Sequence, residues 1–350
     1  MDWHTIHVYY HDDDKDALIL EAVRPLFDKL AGQVGALSWT RHWRQGPHLR
    51  LNVRADQDTV HRSVFPAAQR IVGGWLERNP STRRLDPLEV LADHRRLAEA
   101  ENERGPLTPW PANNSLRLGH YDRRVEVLGN EAMAGLLADF YADTTPISFR
   151  MTERSGRGQR LMLAFDLIVA AVHGLSTVGI KDGFVALRSH AEAFLNGRPE
   201  NAMLRDGWDR HYRLHSATLA ARLAGVVATV DGSPEAVPFV REWVDLLRRY
   251  RSRAEDLVAR YEFSLPPLDS GANSRLSTAS PFHAALVAGS RWARLRDSTA
   301  FALSRLLINY TYLQLTRLGV PAGQRFLMCH LAANTVEDQY DVSALELAAL

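Results

Sequence analysis

Cysteine is almost missing from this chain. Cys329 is the one example in 350 residues, which excludes an intramolecular disulfide framework and sets the expectation of a reducing, cytoplasmic setting. It sits in Phe-Leu-Met-Cys-His, an apolar context that reads as a small core residue rather than a nucleophile. An excess of one charge is missing too. Lys and Arg number 42 against 41 Asp and Glu, for a net charge of +1, and the pI is near 8.0. Nucleic acid is therefore not an expected partner. No eighteen-residue apolar run occurs, and the opening Met-Asp-Trp-His carries no basic stretch followed by an apolar one. The expectation is neither secretion nor membrane insertion.

Cofactor motifs also fail on inspection. Gly156-Arg-Gly158 begins like a dinucleotide loop, but Leu161 stands where the third glycine belongs. The stretch Gly174 to Gly179 places its second glycine one residue late for a nucleophile elbow. Asp12, Asp14 and Asp16 imitate a calcium loop, yet Val23 occupies the place of the bidentate glutamate. There is no His-Glu-x-x-His and no Cys-x-x-Cys. No metal and no organic cofactor are expected.

What is present is periodic. At 46% hydrophobic, the chain can bury the core of one large domain or two small ones. Trp3 to Tyr10 alternates as a strand, and a helix follows with Leu18, Ala22, Leu26 and Leu30 at helical spacing and Pro25 as a kink. Leu37 to Arg54 reads as two strands joined at Gln45-Gly46-Pro47, and Gln57 to Arg78 as a second helix. Strand-helix-strand-strand-helix opens a ferredoxin-like layer. In the hairpin, Leu49, Leu51 and Val53 share one face, while His42, Arg44, His48 and Arg50 share the other. That second face is either a solvated surface or a cationic wall for a peptide or an enolate-like anion.

Residues 80–120 are rich in Pro and polar groups, and the remainder is helical. The pattern predicts helices over 155–178, 182–196, 201–226, 234–262, 281–294, 297–318 and 321–341, with a polar loop at 266–280. The arginines at 248–253 read as a solvated helix face, with a surface for an acidic leader peptide as the alternative. Ser280-Pro281 is a helix cap followed by proline at the first helical position, with His283 just beyond. Asn309, Tyr312, Thr316 and Gly319 form a polar stripe on an apolar helix. A buried stripe of that kind needs partners, and a Tyr hydroxyl satisfied at the core edge is the plainer alternative.

The N-terminal strand, Arg-His-Trp-Arg…Gly-Pro-His-Leu-Arg-Leu in the hairpin, and the 120–129 segment resemble the C-terminal elimination domain of lantibiotic dehydratases. More narrowly, the chain is similar to the stand-alone members of thiopeptide biosynthesis. Eliminating members carry a late His-x-x-x-Asn-Arg stretch, whose counterpart here is Tyr312-Leu-Gln-Leu-Thr316-Arg317. Tyr replaces His and Thr replaces Asn, which is the pattern of the pyridine synthases. The resemblance implies an α+β fold spanning 1–350, with a ferredoxin-like layer over 1–105 and a mainly helical part over 106–350. It implies Ser280, Tyr312, His283 and Tyr310 as catalytic candidates, with Ser277 as a fallback for Ser280. His42, Arg44, His48, Arg50, Asn309, Thr316 and Arg317 become substrate-binding candidates. The implied activity is cofactor-free closure of a pyridine from two dehydroalanines of a leader-bearing precursor peptide. Other thiopeptide enzymes are possible partners, with the chain as monomer or homodimer. A glutamate-eliminating lyase and a non-catalytic precursor-binding subunit are the alternatives.

Overall fold

The structure is a computed structural model that describes residues 1–176, 178–234, 237–265, 278 and 280–350. It divides into two compact units. The first is Met1–Arg154 with Arg317–Gly319, and the second is Ser155–Thr316 with Val320–Leu350.

The first unit is built on four strands, β1 (Asp2–Tyr9), β2 (Ala36–His42), β3 (His48–Ala55) and β4 (Ser115–His120). They lie in the order β2-β3-β1-β4, every neighbour antiparallel, with Ile6 opposite Leu51 and Trp39 opposite Leu51 across the central strand. This is the split βαβ order of a ferredoxin-like layer. The fourth strand lies past residue 105, the edge of the layer expected from sequence, because the segment between α2 and β4 is long.

Helix α1 runs from Asp16 to Leu30 and α2 from Gln57 to Arg78. Neither breaks at its proline. Ahead of Pro25 the Arg24 N–H reaches back five residues to the Ile19 carbonyl, and ahead of Pro66 the Phe65 N–H does the same to Val60. A widened turn of this kind relieves the clash of a proline ring with the preceding turn and tolerates its missing donor. The helices press Leu18, Ala22, Leu26, Val60, Val64 and Val72 onto Ile6, Val8, Trp39, Leu49 and Leu51, all but sealed from solvent.

The other face of the sheet is polar and also buried. Thr5, Ser38, His48 and Asn52 are each no more than 4% exposed. Thr5 Oγ1 donates to Asn52 Oδ1 at 2.5 Å, and Asn52 Nδ2 donates to Ser38 Oγ at 3.4 Å, so the ladder satisfies itself across three strands. Gly119 on β4 makes room for this layer, since a Cβ there would fall 2.4 Å from Nε2 of the His7 ring. The unit is completed by α3 (Leu91–Glu101), α4 (Glu131–Asp143) and α5 (Thr145–Arg154).

The second unit is helical. Its members are α6 (Arg157–Leu175), α7 (Ile180–Asn196), α8 (Leu204–Val230), α9 (Val240–Ala259), α10 (Pro281–Ala288), α11 (Thr299–Arg317), α12 (Ala322–Tyr340) and α13 (Ala344–Ala349). Helix α6 is long and apolar enough to cross a membrane, but here it is the central helix, with 67% of Gly158–Leu175 buried. It packs on α8, α9 and α12. Its one buried acid, Asp166, is held bidentately by Arg222 from α8 at 2.6 and 2.5 Å. The helix expected over 281–294 is divided at Gly289, where a Cβ would lie 2.5 Å from the Ala348 carbonyl. That close approach belongs to α13, which has no counterpart among the expected helices.

Gly119→Ala is expected to lower the urea midpoint by the equivalent of about 1–3 kcal/mol, the usual cost of overpacking. Adding His7→Ala to the variant should recover most of that loss. An unchanged midpoint in the single variant would show that the ring moves aside freely.

Candidate functional site

Two consecutive residues of α7 organise the polar interior of the helical unit. The core stripe of this helix is Ile180, Phe184, Leu187, Ala191 and Leu195, so His190 falls at its margin and Ser189 on the opposite face, both half-buried. Ser189 Oγ lies 3.0 Å from His283 Nε2, and His283 Nδ1 lies 2.8 Å from Ser280 Oγ. Ser280 is also the N-cap of α10, accepting the His283 backbone N–H at 3.2 Å. The cap thus fixes its hydroxyl where the imidazole of the same turn meets it.

His190 serves the second hydroxyl. Its Nδ1 is 2.6 Å from the Tyr312 hydroxyl on α11, which is 3.2 Å from the Cys329 sulfur on α12. Two hydrogen-bonded triplets, Ser280–His283–Ser189 and His190–Tyr312–Cys329, therefore meet at adjacent residues of one helix. Arg325 lies over the Tyr312 ring, 5.7 Å from its centroid, and donates to the Tyr312 carbonyl at 3.0 Å. Burial sets the protonation states. It lifts the Tyr312 phenol well above its ordinary value and the Cys329 thiol to about 12, and lowers His190 to about 4. His283 is lowered as well, by burial. At neutral pH the cluster consists of uncharged donors and acceptors, able to pass a proton to or from a carbonyl without a strong base.

The remaining candidates on α11 diverge. Tyr310 is 2% exposed, with its ring against Tyr250 at 6.1 Å. Asn309 is exposed, as is Thr316, whose hydroxyl donates to the Tyr312 carbonyl and accepts from Arg325. Arg317 is buried in the first unit, donating to the Tyr141 carbonyl and to the hydroxyls of Thr144 and Thr145, and lying 4.7 Å over the Trp39 ring. Ser277 and most of the 266–280 loop lie outside the described residues.

The hairpin candidates gather within the first unit around a residue that the sequence pattern did not single out. Glu103 presents a carboxylate that is 1% exposed to Arg44 at 3.3 Å, Arg124 at 3.5 Å, and Arg50 and His42 at 3.8 Å. Burial would raise its pKa, but His42, Arg50 and Arg124 outweigh that and hold it near 2. Beside it, His48 bridges the Gly46 carbonyl at 2.8 Å and His7 Nδ1 at 3.0 Å. With Nδ1–H donated to that carbonyl, His48 Nε2 accepts from His7. Burial first, then the nearby Arg50, lowers His7 to about 4. His42 is also lowered to about 4 by burial. Among the described residues, no group of three or more His, Cys, Asp or Glu is arranged to hold a metal.

The model of the lantibiotic biosynthesis dehydratase C-terminal family matches residues 3–336. The chain belongs to that family. Among solved structures it is similar to the pyridine synthase TbtD from thiomuracin biosynthesis, at 36% identity and a TM-score of 0.80, covering 98% of this chain and 100% of that one. TsrL shares the fold at 22% identity and a TM-score of 0.74, covering 99% and 98%. None of the curated proteins matches it. The stretch of this dehydratase-family chain from Tyr312 to Arg317 thus sends Tyr312, Thr316 and Arg317 to three environments. Only Tyr312 joins the triplets. His190 left one trace in the sequence, a polar residue at the edge of an apolar stripe, and Ser189 and Glu103 left none.

Acidification should destabilise the chain in two steps. Unfolded imidazoles take up protons below about 6.5, while His7 and His42 resist until about 4. The unfolded state therefore binds more protons between these values, and stability falls as pH drops through them. Glu103 adds a further loss below about 4.5. Urea midpoints from pH 7.5 to 3.5 measure this, and a flat profile down to pH 5 would contradict it. At pH 7, Glu103→Gln should cost about 3–5 kcal/mol, because three guanidinium groups lose their buried counter-charge.

Proposed function

We propose that this chain closes the central pyridine and macrocycle of a thiopeptide from two dehydroalanines of one leader-bearing precursor peptide. The observation that carries this reading is the placement of Tyr312 and Ser280 in neighbouring uncharged hydrogen-bonded triplets. Identity of 36% with a pyridine synthase over 98% of the chain supports it.

The chemistry asks for proton movement and positioning rather than for a charged nucleophile. An amide beside one dehydroalanine becomes its iminol tautomer, giving a 2-azadiene. Tyr312 donates its hydroxyl proton to the amide oxygen, and the proton leaving the amide nitrogen restores the phenol. Two carbon–carbon bonds then join the azadiene to the second dehydroalanine. Loss of water, then of the leader as a carboxamide, yields the aromatic ring with no net oxidation or reduction. Ser280, aligned by its cap and by His283, orients the same amide. Holding the two unsaturated residues in contact contributes about 7–11 kcal/mol of barrier lowering, and a positioned proton donor about 10²–10⁴-fold in rate. Arg44 and Arg50, balanced by Glu103, offer polar contacts to the peptide elsewhere in the chain.

Mass spectrometry on an azole-containing peptide that carries a leader and two dehydroalanines tests the reading. Macrocycle together with leader-amide is the expected product. Release of free glutamate from a glutamylated peptide alone would replace it with an elimination. Tyr312→Phe should slow ring closure tenfold or more while leader affinity, measured by fluorescence anisotropy, stays unchanged. A wild-type rate in that variant would remove the phenol from the mechanism.

A further inference from the structure

We infer that His190 is a positioning residue whose tautomer decides whether the Tyr312 hydroxyl faces the substrate as a donor or as an acceptor. The inference rests on the pyridine-closing reading and deepens it.

A phenol carries one hydrogen and two lone pairs. Tyr312 has two fixed neighbours for them, His190 Nδ1 at 2.6 Å and Cys329 Sγ at 3.2 Å. A neutral imidazole bears its proton on one nitrogen only. With the proton on Nδ1, His190 donates to the Tyr312 oxygen, the Cys329 thiol donates to the second lone pair, and the Tyr312 O–H is left for a third partner such as an amide oxygen. With the proton on Nε2, Tyr312 spends its hydrogen on His190 and can only accept.

The surroundings restrain the pair. The two rings meet edge to face at 5.3 Å and 65°, and the Tyr312 ring is backed by Phe326 at 6.2 Å. Neither ring can swing away without losing these contacts. The neighbouring Ser189 holds His283 at 3.0 Å, so α7 contributes one partner to each triplet, directly to Tyr312 and through His283 to Ser280.

Steady-state kinetics of the full chain on the leader-bearing bis-dehydroalanine peptide test the assignment. His190→Phe keeps an aromatic ring but removes the hydrogen bond, and is expected to lower kcat at least tenfold with KM within about twofold. His190→Asn places an amide near the Nδ1 position and should recover kcat to within about threefold of wild type. In a Tyr312→Phe background, His190→Phe should change kcat by less than about twofold, since the two residues act as a unit. A wild-type kcat in His190→Phe, an Asn variant as slow as the Phe variant, or a full additive loss in the double variant would each overturn the assignment. If wild-type protein leaves the peptide unchanged, the pyridine-closing reading falls first, and this inference with it.

Discussion

Burial without charge is the constraint on which the two hydrogen-bonded triplets depend. Tyr312, His190, Cys329 and His283 are packed where an ionised form is costly, and burial raises the pKa of Tyr312 and Cys329 and lowers that of both histidines, favouring the uncharged form of each. Uncharged groups can be buried only if their hydrogen bonds are complete. The triplets supply them: each imidazole faces a hydroxyl, and the Tyr312 hydroxyl also faces the thiol. The same requirement that lets the cluster fold gives it directional hydrogen bonds, and these are what proton transfer to a neutral amide needs.

The first unit solves a different problem in the opposite way. Its sheet carries several arginines on a largely buried polar face, and arginine does not discharge itself by giving up a proton. Glu103 brings the compensating charge from outside the sheet, and the histidines beside it stay neutral. What alternation alone presents as a bare cationic wall therefore has a buried carboxylate at its centre. Arg317 follows the same logic by another route, with its guanidinium satisfied by a carbonyl, two hydroxyls and an indole face rather than by an acid.

Much of the architecture was readable in advance, because it is local. The hairpin at Gln45-Gly46-Pro47, the Ser280-Pro281 cap and the helices from 155 to 341 follow from spacing, turn chemistry and capping within a few residues. The exceptions are places where a remote neighbour intervenes. Gly289 divides a helix because α13 passes over it, and both proline-bearing helices run on because the turn before each proline widens.

The candidate site divides along the same line. Sequence by itself determined that Ser280 starts a helix, that Tyr312 stands in a polar stripe, and that the hairpin turns His42, His48 and Arg50 to one side, since each depends on periodicity over one element. Only the tertiary structure decided that Asn309 and Thr316 stay exposed, that Arg317 is buried in the first unit, and that Ser189, His190 and Glu103 lie against the candidate residues. The physical reason is that a hydrogen bond between residues 190 and 312, or an ion pair between 50 and 103, is set by how distant segments pack. No local pattern encodes that packing.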